Sequence, residues 1–307
     1  MTTTPPAAAV NCFSYLASVH TLHVPYYPPI NYGVDVTRTE DLLAGDGPLV
    51  AAFLTALGHT ATLYSNPVSD DAPGRAITAR LHGWGVKLAP ITVTADRTRV
   101  NTVVCDERGN RTWFSGLGGV ADELTAIDPD AVAGAPLVYL DCYEVLHQAP
   151  GRILNAALAA GAEVVLNLGG SPPPSWLAKT LDGRRIAIVQ TNADENDPAR
   201  PGQILQQLRE LGVADIAVVT AGRQGAIAAA RDGQPVRSAA LPVTVQQVQG
   251  TGSAFSAAFI HQHLAGTPLK QALRFACTAA SLWCGRTAEA PLMGEADIYA
   301  HLEALPR

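Results

Sequence analysis

The sequence predicts an α/β protein: a doubly wound, mainly parallel sheet flanked by helices, with a small β-strand lid. Three observations carry this expectation. Short β-branched runs alternate with amphipathic runs of about 10–15 residues along most of the chain. Two stretches break that alternation by setting strand beside strand. The composition, 48% hydrophobic and 16% charged over 307 residues, supports a sizeable core and excludes global disorder.

The elements follow in order. Residues 1–10 are Pro/Ala-rich and read as a flexible tail, leaving 11–307 as a single domain. The helical run Pro48–Leu57 leads into the strand-like Ala61–Tyr64, then a helix around Gly74–Leu81 and a short apolar run at Val86–Leu88. Further strands are expected at Leu137–Leu140, Val164–Leu168, Ile186–Val189 and Ile216–Val219, with helices at Arg152–Ala160, Ser175–Leu181 and Gly202–Leu211 between them. Lid strands are expected near 30–37 and 99–115. Asn31–Val36 reads as one strand, and Arg99–Cys105 with Arg111–Phe114 as a hairpin turning at Asp106–Asn110. The last third holds helices at Ser253–His263, Leu269–Cys284 and Glu295–Leu302.

Charge and cysteine content exclude several classes. The net charge is −6 and no basic stripe appears, which argues against a nucleic-acid partner. Lys87, Lys179 and Lys270 are the only lysines, so lysine chemistry has few candidates. Five cysteines without a Cys-x-x-Cys form neither a disulfide framework nor a zinc site and suit a reducing cytoplasm. The opening residues lack a cationic n-region, and no apolar run reaches the ~18 residues of a membrane span. A cytoplasmic protein with no membrane partner is expected.

Three segments carry candidate chemistry. Gly250-Thr251-Gly252-Ser253 follows an extended stretch and opens an apolar helix. Backbone N–H groups at such a helix start form an anion pocket, although the same pattern also serves as a tight turn with Ser253 as N-cap. Asn192-Ala193-Asp194-Glu195 follows the strand Ile186–Val189, at the strand end where open α/β sheets bind ligands; helix capping is the alternative. Thr220-Ala221-Gly222-Arg223-Gln224-Gly225 again follows a strand, as a nucleotide cradle or a glycine-rich turn. His261 and His263 point to different helix faces, which argues against paired metal ligation, and no metal site is assigned. Cys142 as a nucleophile would need a neighbour that stabilises a thiolate.

In this order and spacing the three segments resemble the ribokinase-like (PfkB) family of carbohydrate and nucleoside kinases, over nearly the whole chain. Asn192-x-x-Glu195 matches its Asn-x-x-Glu motif, which the resemblance associates with Mg²⁺ and phosphate. Thr220-Ala221-Gly222-x-x-Gly225-Ala226 matches its turn at the ATP site, and Gly250-Thr251-Gly252-Ser253-Ala254-Phe255 falls where the family reads Gly-Ala-Gly-Asp-Ala-Phe. Gly45-Asp46-Gly47 through Gly58 resembles the Gly-Gly helix, Asp106 through Thr112 the lid hairpin, and Ala276–Ala280 with Ala288–Pro291 the helix and loop beside the adenine. The resemblance implies ATP and Mg²⁺ as cofactors, a small polar substrate, and a homodimer through the lid strands.

The departures are equally specific. Where the family carries its general base, an aspartate, this chain has Ser253, and its Asp-Thr upstream is Gln247-Val248. The substrate-binding asparagine aligns with Leu49, and the N-terminal region that brings an aspartate to sugar hydroxyls reads Ser18–His23 with no carboxylate. Losing a positioned base costs ~10²–10⁴-fold in rate. His20, with an imidazole suited to proton transfer, and Asp46, at the helix entry, are candidates on the substrate side; a structural role is the alternative for each. Three functions follow: an atypical ATP-dependent kinase for a hydroxyl of a sugar- or nucleoside-like substrate, a non-kinase enzyme holding a phosphorylated or carboxylated substrate in the anion hole, or a ligand-binding pseudokinase.

Overall fold

A computed structural model describes residues 6–90, 96–108, 110–287 and 289–304. In chain order the elements are β1 (Ala9–Phe13), β2 (Ala17–Val24), β3 (Arg38–Ala44), α1 (Asp46–Ala56), β4 (Thr60–Tyr64), α2 (Ala72–Gly83), β5 (Lys87–Leu88), β6 (Val100–Asp106), β7 (Arg111–Phe114), α3 (Val120–Thr125) and α4 (Pro129–Ala133). There follow β8 (Leu137–Asp141), α5 (Ala149–Ala160), β9 (Glu163–Asn167), α6 (Leu177–Leu181), β10 (Ile186–Asn192), α7 (Arg200–Leu211), β11 (Ala214–Thr220), β12 (Ala226–Ala230) and β13 (Val236–Ser238). Three helices close the chain: α8 (Thr251–Leu264), α9 (Leu269–Cys284) and α10 (Glu295–Ala304).

The main sheet runs in the order β13-β12-β11-β10-β9-β8-β1-β4-β5. Pairing is parallel from β11 through β5, and antiparallel only at β12 and β13. Because side chains alternate along a strand, Leu137 and Tyr139 of β8 face one core and Val138 and Leu140 the other. The first core is closed by α1, α8 and α9; the second by α3, α5 and α7. This is the doubly wound sheet that the alternating pattern predicts. Among the described residues no helix is long and apolar enough to cross a membrane.

A second, four-stranded sheet, β3-β2-β6-β7, forms the lid. Its β6–β7 hairpin lies where the sequence predicts it, with Asp106 Oδ1 accepting from the N–H groups of Arg108 and Asn110. The strand expected at Asn31–Val36 is a correction: that stretch is part of the connection from β2 to β3. Pro25, Pro28 and Pro29 remove ladder donors, Asn31 turns the chain at φ 73°, and Thr37 N–H closes the loop on the His23 carbonyl at 2.8 Å. The lid strand comes one step later, as Arg38–Ala44, paired antiparallel with β2.

The tail expected over 1–10 also needs correcting. Ala9 and Val10 belong to β1, which pairs with β4 on one side and β8 on the other, and Val10 is fully buried. A five-residue strand directly after a Pro/Ala run is too short for its period to show. Residues 1–5 of that tail, Gly109 of the lid turn and Ala288 of the expected adenine loop lie outside the described residues.

Candidate active site

The order of the main sheet locates the site. From β1 the chain steps through β4 and β5 in one direction, and from β8 through β9, β10 and β11 in the other. The reversal falls between β1 and β8, and open α/β sheets bind ligands outside the carboxyl ends of the strands at such a switch point. Ser14 follows β1 and Asp141 ends β8, and their side chains meet there, Ser14 Oγ to Asp141 Oδ2 at 2.5 Å. Asn167 and Asn192 end β9 and β10.

A second carboxylate arrives from α1. Gly45 precedes this helix at φ +103°, and a Cβ there would overlap the Tyr15 carbonyl, so only glycine fits the turn. The turn delivers Asp46 as the first residue of α1, while the Gly47 N–H donates to Asp141 Oδ2 at 2.8 Å. Asp46 Oδ2 accepts from the Tyr143 hydroxyl and from Asn167 Nδ2, the latter at 3.1 Å. Its other oxygen, Oδ1, lies 2.9 Å from Ser253 Oγ on α8.

Asp141 is fully buried, and its Oδ1 is met by the hydroxyls of Tyr139 and Tyr143, both at 2.9 Å, and by Asn167 Nδ2 at 3.2 Å. Burial first, and the neighbouring Asp46 charge second, hold its carboxyl up to about 7. The hydrogen bonds from Ser14 Oγ, the Gly47 N–H and the Tyr139 hydroxyl work the other way and favour the charged form. The site therefore sets a fully buried acid beside a second, partly buried one at its mouth.

The start of α8 faces that carboxylate. Gly250 adopts the left-handed conformation at φ 76° immediately before the helix, and a Cβ there would press on Trp283 Nε1 and Leu49 Cδ1. Trp283 Nε1 fixes the turn by donating to the Gln249 carbonyl at 2.8 Å, and Gln249 Nε2 donates to the Leu43 carbonyl at 2.6 Å. Within the first turn the Thr251 N–H reaches back to Val248 O and Ala254 N–H to Gly250 O, leaving the N–H groups of Gly252 and Ser253 without an intrahelical acceptor. Gly252 is exposed, with open space where its side chain would be. This cradle fits a phosphate group. Leu49 is buried beneath it and offers the site no polar group.

The expected nucleotide segments gather at the ends of β10 and β11. Thr220 ends β11 and pairs with Asn192 in the sheet, and Thr220 Oγ1 donates to the Thr191 carbonyl at 3.4 Å. The turn from Gly222 to Gly225 closes with Gly225 N–H on Gly222 O at 2.9 Å. Glu195 packs on this turn: Oε2 accepts from Arg223 N–H and Oε1 from Arg223 Nη1, each at 2.9 Å. Both oxygens of Glu195 are thus committed to Arg223, and no group of three acidic, histidine or cysteine residues arranged for a metal occurs among the described residues. That arrangement does not fit direct Mg²⁺ ligation by Glu195.

Two other candidates lie elsewhere. His20 sits on β2 of the lid, with Nδ1 2.7 Å from Asp41 Oδ1 of the adjacent strand. Cys142 is buried, and burial with the Asp141 charge pushes its thiol up to about 12, so it has no thiolate character. Ser14, Tyr139 and Asn167 escaped sequence reasoning, although each ends or interrupts an apolar strand where a polar residue marks the ligand edge.

Comparison with known proteins bears on the family and the fold. The pfkB family carbohydrate kinase profile matches residues 29–292, and the chain belongs to that family. A ribokinase of Arabidopsis thaliana is 25% identical over 262 residues, covering 79% of this chain and 67% of its own. The structure of Arabidopsis thaliana ribokinase complexed with ribose and ATP superposes with a TM-score of 0.76 at 20% identity, over 98% of this chain and 100% of that one. Ribokinase from Cryptococcus neoformans in complex with ADP gives 0.78 at 14% identity, over 96% and 100%. The ribokinase-like fold, a helix-flanked parallel sheet with a separate lid, is the fold of this protein.

Proposed function

We propose that this protein is an ATP-dependent kinase that phosphorylates a hydroxyl of a sugar- or nucleoside-like substrate. The observation that carries this is the meeting, at the switch point, of a polar cluster with a phosphate cradle: Asp46, held by Tyr143 and Asn167, abuts Ser253 at the start of α8. The partly buried Asp46 carboxyl offers an acceptor, the complement that a ligand hydroxyl requires. Phosphoryl transfer depends mostly on positioning and electrostatic stabilisation, and ATP, when bound, supplies the transferable phosphoryl group. The N–H groups of Gly252 and Ser253 would hold its phosphates, with Thr220, Gly222 and Gly225 shaping the nucleotide end beside Asn192. A divalent cation accompanying the nucleotide would draw its ligands chiefly from phosphate and water, since Glu195 is paired with Arg223.

The five free cysteines support a reducing, cytoplasmic setting, and the exposed apolar residues of the lid support a homodimer. A ligand-binding pseudokinase is the second reading, favoured by Ser253 standing where the family has its base. Calorimetric titration with ATP and ADP, with and without Mg²⁺, followed by a panel of pentoses, hexoses and nucleosides, separates the two. Micromolar nucleotide binding with phosphorylated product supports the kinase. Nucleotide binding without product across the panel supports the pseudokinase, and no nucleotide binding sends the search to phosphorylated ligands.

A further inference from the structure

We propose that Asp46 is the general base of this kinase, delivered from the start of α1 to the position on α8 where the family keeps its own aspartate. The proposal rests on the kinase reading above and names the group that reading lacks. Its ground is the 2.9 Å contact between Asp46 Oδ1 and Ser253 Oγ. The carboxylate removed from the sequence at position 253 is restored in space by another element, against the same helix turn.

The other groups at the site do not serve. Asp141 is fully buried, with Oδ1 facing Tyr139, Tyr143 and Asn167 and Oδ2 facing Ser14 and the Gly47 N–H, so neither oxygen is open to a ligand. His20 is paired with Asp41 on the lid. Ser253 is fully buried, and a hydroxyl is a poor base. Asp46 is only partly buried. Tyr143 and Asn167 hold its Oδ2, which orients the carboxylate and leaves Oδ1 toward the phosphate cradle.

The step balances. Asp46 Oδ1 takes the proton as the acceptor O–H bond breaks; the acceptor oxygen forms a bond to the γ-phosphorus of the nucleoside triphosphate; the bond to the bridging oxygen breaks and the diphosphate leaves. The proton on Asp46 passes to solvent after product release.

Three measurements test this on the full chain. Asp46→Asn is expected to lower kcat by ~10²–10⁴-fold, with the acid limb of the kcat–pH profile removed. Adding Ser253→Asp to Asp46→Asn is expected to raise kcat at least tenfold over the single variant, because it returns a carboxylate to the same turn. In protein carrying ¹³C-labelled aspartate, the Asp46 carboxylate resonance is expected to shift when an accepted sugar is added without nucleotide. Wild-type turnover with Asp46→Asn retaining rate within threefold overturns the assignment of the base and leaves the kinase reading intact. So does a double variant no faster than Asp46→Asn, or an Asp46 resonance that ignores the accepted sugar. A wild-type protein that turns over nothing in the panel overturns the kinase reading itself, and the base with it.

Discussion

Asp141 and His59 show how single buried residues set the pH response of this molecule. Asp141 has its carboxyl raised to about 7. The folded state therefore holds a proton that the unfolded chain releases above about pH 4, and the associated stability is complete at low pH and lost as pH rises toward 7. At ~1.4 kcal/mol per pKa unit, the loss is on the order of 4 kcal/mol. His59 works in the opposite sense. It is buried, accepts the Ala8 N–H on Nδ1 and lies 3.0 Å from His261 Nδ1 through Nε2, so both rings sit as neutral imidazoles in a chain that ends on Glu295. Burial and then His261 lower it to about 4, so its stability is complete above pH 6.5 and lost as pH falls toward 4. Between pH 4 and 6.5 the two contributions oppose each other. Asp141→Asn removes the first alone. Denaturant titrations of this variant across pH 4–8 are expected to show stability rising to pH 6.5 and then holding level, while the wild type stays nearly level to pH 6.5 and declines from there to pH 7. Parallel profiles for the two proteins would show that Asp141 does not carry a proton in the folded state.

At the scale of elements, the entry turn of α1 is what makes Asp46 useful. The turn depends on Gly45, because any side chain there would meet the Tyr15 carbonyl and hold an unfavourable φ. Gly45→Ala is expected to cost about 1–3 kcal/mol in stability and to lower kcat more than acceptor KM, since it displaces Asp46 from Ser253; thermal melts and steady-state kinetics read both effects. The helix itself was legible in the sequence: Pro48–Leu57 is an apolar run with a glycine turn ahead of it, and the structure gives Asp46–Ala56. The hairpin Arg111–Phe114 and the helix Leu269–Cys284 were legible for the same reason, being periodic stretches with clear boundaries. The polar cluster was not. Asp46, Asp141, Asn167 and Ser253 stand on four different elements and Ser14 on the turn after β1, and nothing along the chain shows that Asp46 crosses to Ser253. Sequence marked the absence of an aspartate at 253; the proposed replacement rests on the contact of Asp46 with Ser253 across α1 and α8. The lid strand was misplaced for a local reason, since Val34 and Val36 alternate like a strand while the true strand, RTEDLLA, does not.

At the scale of the whole molecule, the lid sheet carries several of the exposed apolar side chains among the described residues. The lid sheet ends in two edge strands, β3 and β7, and unpaired edges invite pairing with another chain. Around them Tyr26, Ile30, Tyr32, Trp113 and Phe114 are exposed, Ile30 at 89% and Tyr32 at 75%. Exposed apolar side chains of this kind, on the β2–β3 connection and on β7, mark interaction sites more often than solvated faces. The homodimer proposed above would use this lid: both lids would bring apolar loops and open edges, and a two-fold contact would bury the same patch on each. Sedimentation velocity is expected to give a dimer for the wild type. Ile30→Asp combined with Trp113→Asp is expected to give a monomer, because each protomer would then bury two uncompensated charges. Neither residue touches the Asp46–Ser253 site, so the monomeric variant reports what the dimer does for catalysis: a raised acceptor KM with unchanged thermal stability would mean that the partner holds the lid closed over the substrate. A wild type that sediments as a monomer would leave the lid surface free and overturn the dimer.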